Sequence, residues 1–238
     1  MIECTFEAWA RQAARRATVE AVLFDLDGVL VDSMALVERH LREWAAHHAL
    51  DADRVVAVSH GRRDVEIIRE LVPYLDVEVE AQRIHHRGVE DVAGIAPVAG
   101  ALELVDSLPP DRWAVVTSGV EPVARRRLEA AGICQPRVLI AAGDVTRGKP
   151  DPEGYLLGAE LLGKAPSGCI VFEDAPSGAA AARRAGMRVV RVGKSGNPDL
   201  SADFRVVDLR GVRAALSAGG QLELSFSAMR SRRAPSRS

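Results

Sequence analysis

The feature that most limits what this chain can fold into is an alternation that begins at residue 19, in which short apolar runs are separated by longer stretches with helical spacing. The runs fall at Val19–Asp25, Trp113–Thr117, Arg137–Ile140, Cys169–Phe172, Arg188–Val192 and Phe204–Val207. Most are near-continuous Val, Leu and Ile, without the every-second-residue polarity of a strand that has one wet face. Such runs suit strands buried on both faces, the condition of a parallel sheet layered between helices. Between them, Val120–Ala131, Pro152–Gly163 and Ser177–Ala185 have helical character, with Gly132, Gly163 and Gly186 where a helix end favours glycine. The expected class is α/β, with a parallel sheet and helices on both faces.

One interval breaks the alternation. Between Ser33 and Pro97 no convincing strand is found, while Leu36, Val37, Leu41, Trp44, Ala45 and His48 fall on one face of a helix. Residues 34–96 therefore read as a helical insertion into a core of residues 19–33 and 97–216. Its connections, Gly28–Ser33 and Val92–Pro97, are expected to act as hinges. Residues 1–18 read as an Arg-rich helical extension, and residues 217–238 as a basic, disordered tail.

Composition narrows the function. The 31 basic and 33 acidic residues leave a formal charge of -2, so no global basic field recruits nucleic acid, and a small molecule is the expected partner. No apolar run approaches the ~20 residues that span a bilayer, and acidic residues stand at the N-terminus where a signal peptide would be basic. A soluble, cytoplasmic chain is expected, with no membrane or protein partner implied. Cys4, Cys134 and Cys169 are odd in number and widely spaced, which points to free thiols. His47-His48 and His85-His86 are adjacent on helices and point in different directions, so they are not expected to share a metal.

In an open parallel sheet, ligands bind beyond the carboxyl ends of the strands. Every apolar run that matters ends in polar residues. The first ends in Asp25 and Asp27 on a turn relaxed by Gly28. Two carboxylates so close either cap an ordinary turn or share a hard cation such as Mg²⁺. The second ends in Thr117-Ser118-Gly119, hydroxyls and N–H groups at a helix start, which is either a plain N-cap or an anion site. Lys149 is one of only three lysines in an arginine-rich chain. Its compact ammonium suits a crowded phosphoryl site. The fourth run ends in Glu173-Asp174, a second acidic pair that can complete a metal site.

Taken in order, Asp-x-Asp, Thr/Ser, Lys and Glu-Asp at strand ends resemble the signature of the haloacid dehalogenase-like hydrolases, mostly phosphatases, over roughly residues 19–216. The resemblance implies a Rossmann-like sheet with a small helical cap inserted after the first strand, and a requirement for Mg²⁺. It makes Asp25 the nucleophile and Asp27 the general acid and then base. It assigns phosphate oxygens to Thr117, Ser118 and Gly119, with Lys149 orienting nucleophile and phosphate. Asp174 would ligate the metal with Asp25 and the Asp27 main-chain carbonyl, with Glu173 supporting from behind.

Within the insertion, His60-Gly61-Arg62-Arg63 is similar to the substrate-specificity loop of the sugar, polyol and glycerol phosphatases of that superfamily. The expected activity is hydrolysis of a small phosphorylated metabolite through an aspartyl phosphate. The alternatives are a β-phosphoglucomutase-like phosphoryl mutase and a non-catalytic phosphometabolite-binding protein. A mutase of that kind carries a His and a Lys in its cap; here the His position falls on Val37, and residues 34–96 contain no Lys.

Overall fold

A computed structural model describes residues 15–193 and 202–227. Its centre is a six-stranded sheet in which every pairing is parallel. In chain order the strands are β2 (Ala21–Phe24), β5 (Trp113–Val116), β6 (Leu139–Ile140), β7 (Cys169–Glu173), β8 (Arg188–Val192) and β9 (Phe204–Val206), arranged β6-β5-β2-β7-β8-β9. The strands are continuously apolar because both faces are covered. Val22, Phe24, Ile170 and Phe172 feed one cluster, while Ala21, Leu23, Cys169 and Val171 feed the other. Helices α6 (Glu121–Ala130), α7 (Glu153–Leu161) and α8 (Pro176–Arg184) follow β5, β6 and β7. The glycines after them, Gly132, Gly163 and Gly186, take φ of +70°, +65° and +78°.

The helical interval comprises α1 (Met34–His47), α2 (Ala52–Ser59), α3 (Asp64–Leu71) and α4 (Val77–Glu90), ahead of the short core helix α5 (Ala101–Asp106). These four helices bury a separate core that includes Leu41, Trp44, Val55 and Ile68. Two polar clusters brace it. Glu80 accepts from Trp44 at 3.0 Å and contacts His48 at 2.8 Å. Asp91 accepts from Arg39 at 2.7 Å and contacts buried His40 at 3.0 Å. The chain enters and leaves through β3 (Val31–Asp32) and β4 (Ala96–Pro97), which pair antiparallel, so both crossings lie side by side.

The chain ends differ from expectation. Residues 15–18, expected in a helical extension, lie in strand β1 (Arg15–Val19), and Leu222–Phe226, expected in a disordered tail, is strand β11. Both pair antiparallel, β11 also with β10 (Val212–Leu216), to form a three-stranded sheet. Side-chain alternation explains it: Ala17 and Val19, and Leu222, Leu224 and Phe226, all face the core cluster. A period of two had been masked by the flanking arginines, glycines and serines. The remaining parts of those expectations, residues 1–14 and 228–238, and Cys4 with them, lie outside the described residues. Cys134 and Cys169 are free thiols, and burial pushes Cys169 up to about 11. No helix among the described residues is long and apolar enough to cross a membrane.

Candidate active site

The carboxyl ends of β5, β2 and β7, together with the loop before α7, converge on one buried ion cluster. The Asp25 N–H continues the ladder onto Phe172 O at 3.0 Å, which fixes the backbone of Asp25 beside β7. Lys149 Nζ uses all three of its protons there: it donates to Asp25 Oδ1, to Glu173 Oε1 at 2.7 Å and to Val116 O at 3.1 Å. Burial alone would push the Lys149 ammonium down; the carboxylates of Asp25 and Glu173 reverse this, so it stays well above its ordinary value and charged.

Glu173 is 1% exposed and fully engaged. Besides Lys149, Tyr155 Oη donates to its Oε1 at 2.9 Å, and the N–H groups of Asp174 and Ala175 donate to Oε2 at 3.0 and 2.9 Å. Burial, with Glu173 adding to it, holds the Tyr155 phenol well above its usual range, so it remains a donor. The helix that covers this carboxylate approaches so closely that a Cβ on Gly178 would lie 1.5 Å from Glu173 Oε1. Glu173 therefore anchors Lys149 and the turn into α8.

Asp25, Glu173 and Asp174 offer oxygens within 4.8 Å of one another. Burial pushes the Asp25 carboxyl well above its ordinary value, against the pull of Lys149 and with a further push from Glu173 and Asp174. Asp174 is likewise raised by burial, opposed by its contact with His60. Three carboxylates thus face one ammonium, and the oxygen ligands they offer fit a hard dication. Gly28 makes the room: its φ is +80°, and a Cβ there would lie 2.3 Å from Asp174 Oδ2.

Above the cluster lies a cavity of about 400 Å³, with Asp25, Asp27, Asp174 and Thr117-Ser118-Gly119 at one end and α1, α2 and α4 around the other. Thr117 Oγ1 accepts the Gly119 N–H at 3.0 Å, and the Ser118 hydroxyl donates to Gly61 O at 3.0 Å. The four residues His60, Gly61, Arg62 and Arg63 separate in space. His60 Nε2 lies 3.2 Å from Asp174 Oδ2, and this contact raises the His60 pKa. Gly61 O also accepts from Ser177 Oγ at 3.2 Å. Arg62 faces the cavity and pairs with Glu70 at 2.9 Å. Arg63 turns away from it, donating to Val145 O at 3.2 Å and Thr146 O at 3.1 Å across the interface. It therefore docks the loop on the core, where the sequence had grouped it with substrate-facing residues.

Sequence reasoning missed Arg127, Ser33 and Tyr155. Arg127 Nη1 donates to Asp27 Oδ2 at 2.8 Å, and Ser33 Oγ donates to Asp27 Oδ1. The Arg125-Arg126-Arg127 triplet reads as a solvated face, and its first two members are indeed exposed partners of Glu121 and Glu129. The available signal was spacing: Arg127 lies one turn beyond buried Val123, on the inward stripe of α6.

Residues 19–186, which carry the acidic, lysine-bearing cluster at the carboxyl ends of this parallel sheet, match the haloacid dehalogenase-like hydrolases. The chain belongs to that family. It is 43% identical over 175 residues to hexitol phosphatase A of Escherichia coli, covering 71% of this chain and 81% of the relative. Glycerol-1-phosphate phosphohydrolase 2 of Saccharomyces cerevisiae is 34% identical, covering 73% and 74%. The fold is also shared with β-phosphoglucomutase of Clostridium difficile, at a TM-score of 0.63 and 20% identity over 80% of this chain and 92% of that one.

Proposed function

We propose that this enzyme is a Mg²⁺-dependent phosphatase of small sugar, polyol or glycerol phosphates, working through an aspartyl phosphate. The observation that carries the reading is the placement of Asp25: a buried carboxylate held by Lys149, on the wall of a cavity through which a phosphate monoester can reach it. The names and identity of the curated relatives support the substrate class.

Asp25 attacks phosphorus only where its own charge and that of the phosphate are offset. Lys149 supplies one positive charge at the attacking oxygen, and Thr117 with the Ser118-Gly119 backbone is placed to hold phosphate oxygens. Asp25 and Asp174 would hold Mg²⁺, with the Asp27 carbonyl as the expected third protein ligand; the ion supplies the charge neutralisation that the excess of carboxylates lacks. As the Asp25–phosphorus bond forms and the ester bond breaks, a proton from Asp27 passes to the leaving oxygen. In the second half Asp27 takes a proton from water as the water oxygen attacks phosphorus and Asp25 is released. The cap helices and the His60–Arg62 loop then select the organic half of the substrate, away from nucleic acid or lipid.

Phosphate release from a panel of hexitol, glycerol and 2-deoxyhexose phosphates with Mg²⁺ tests the reading. Turnover of at least one, lost on Asp25→Asn and on chelation of the metal, is expected; no turnover of any panel member contradicts it. The mutase reading predicts instead conversion of β-glucose 1-phosphate to glucose 6-phosphate without free phosphate. Val37 on the cavity wall and the absence of Lys from residues 34–96 favour hydrolysis.

A further inference from the structure

One buried cation beside the cavity takes no part in that sequence of steps. Arg127, in the last turn of α6, is 8% exposed, and its sole hydrogen-bonded acceptor among the described residues is Asp27 Oδ2. Its Nε is buried with no hydrogen-bond partner. An orphaned buried donor costs about 1–3 kcal/mol, and an ion pair withdrawn from water often fails to repay its desolvation. Stability is a poor account of this guanidinium.

The carboxylate it holds is gripped by two unlike partners. Arg127 can only donate, so Oδ2 faces a group that never accepts a proton. Oδ1 accepts from the Ser33 hydroxyl, at the N-terminus of α1. A hydroxyl both donates and accepts, so by rotating it serves Oδ1 whether that oxygen is bare or protonated. Resting on the phosphatase reading above, we infer that Arg127 is a positioning residue for the proton transfers: it pins Asp27 Oδ2, and the proton travels on Oδ1. The proton on Oδ1 moves to the ester oxygen as that oxygen's bond to phosphorus breaks. A water proton returns to Oδ1 as the water oxygen bonds phosphorus and the aspartyl phosphate is cleaved. A carboxylate freed at Oδ2 rotates away from the leaving oxygen, and misplacement of about 1 Å costs on the order of 10²-fold in rate.

The test is single-turnover release of the leaving group from two substrates: the alkyl phosphate that the wild type turns over fastest, whose alkoxide needs a proton, and p-nitrophenyl phosphate, whose phenolate does not. Arg127→Gln is expected to slow alcohol release about 30- to 100-fold and nitrophenolate release less than about threefold, with KM within about twofold of wild type and partial recovery in Arg127→Lys. Equal slowing on both substrates, or slowing on neither, overturns the inference while leaving the phosphatase reading intact. Should Arg127→Gln not fold, Arg127→Lys is read the same way: a loss confined to the alkyl phosphate supports the inference, and a uniform or absent loss overturns it. A wild type that releases phosphate from neither substrate overturns the phosphatase reading and this inference with it.

Discussion

The floor and the roof of the cavity are built on opposite terms. At the floor two residues are fully engaged: Lys149 spends three protons on buried acceptors, and Glu173 receives four donors while 1% exposed. At the roof, the side chains of His60 and Arg62 keep 42% and 29% exposure, and the loop touches the core through one imidazole–carboxylate contact, His60 to Asp174, and through hydroxyl and guanidinium bonds to backbone carbonyls. Bonds of the second kind exchange readily with water, whereas a buried ion network breaks only as a unit. On the proposed function, the floor carries the chemistry and the roof admits and sorts what the chemistry acts on.

Substitutions can break this contrast, and the largest effect belongs to the floor. Lys149→Met leaves Asp25 and Glu173 facing each other without a cation. It should lower kcat about 10³-fold and stability by about 3–5 kcal/mol, measured by steady-state kinetics and chemical denaturation. Gly178→Ala tests the packing behind Glu173, since the added methyl has only 1.5 Å to Oε1. The helix α8 must shift, costing about 1–3 kcal/mol, with a fall in kcat because Lys149 loses its anchor.

A roof substitution should behave differently. Arg63→Ala removes two bonds to Val145 and Thr146 and is expected to raise KM about three- to tenfold while changing kcat less. A comparable loss in kcat would place Arg63 with the floor.

The smallest effect is expected in the cap's own brace. Bonds from His40, the Ala93 N–H and Arg39 hold Asp91 well below the usual carboxylate range. A depressed folded-state pKa contributes stability above the unfolded value of about 4 and loses it as pH falls toward the folded one. Asp91→Asn should therefore lower the Tm at pH 7 and flatten its decline below about pH 4.

The same contrast explains what the sequence disclosed. Asp25, Lys149, Glu173 and Asp174 were legible because a parallel sheet forces its polar strand ends to one edge, so order along the chain predicts convergence. The α/β class followed from runs with no wet face. Arg63 was not legible, because adjacent residues on a loop point apart and only the fold decides which faces the cavity. Arg127 hid in a triplet whose neighbours are solvated. The strands at the chain ends were missed although Leu222, Leu224 and Phe226 alternate with polar residues, because the surrounding Gly-rich and basic stretches read as tail.

Asp25 is the proposed nucleophile, the residue on which the phosphoryl group would be carried. Acid quench of the enzyme during turnover of its best substrate, followed by peptide mass spectrometry, tests this directly. A phosphoryl group on the peptide that contains Asp25, absent in Asp25→Asn and formed at the rate of alcohol release, is the predicted result. Steady phosphate release with no phosphoryl on that peptide, or undiminished turnover by Asp25→Asn, would contradict it.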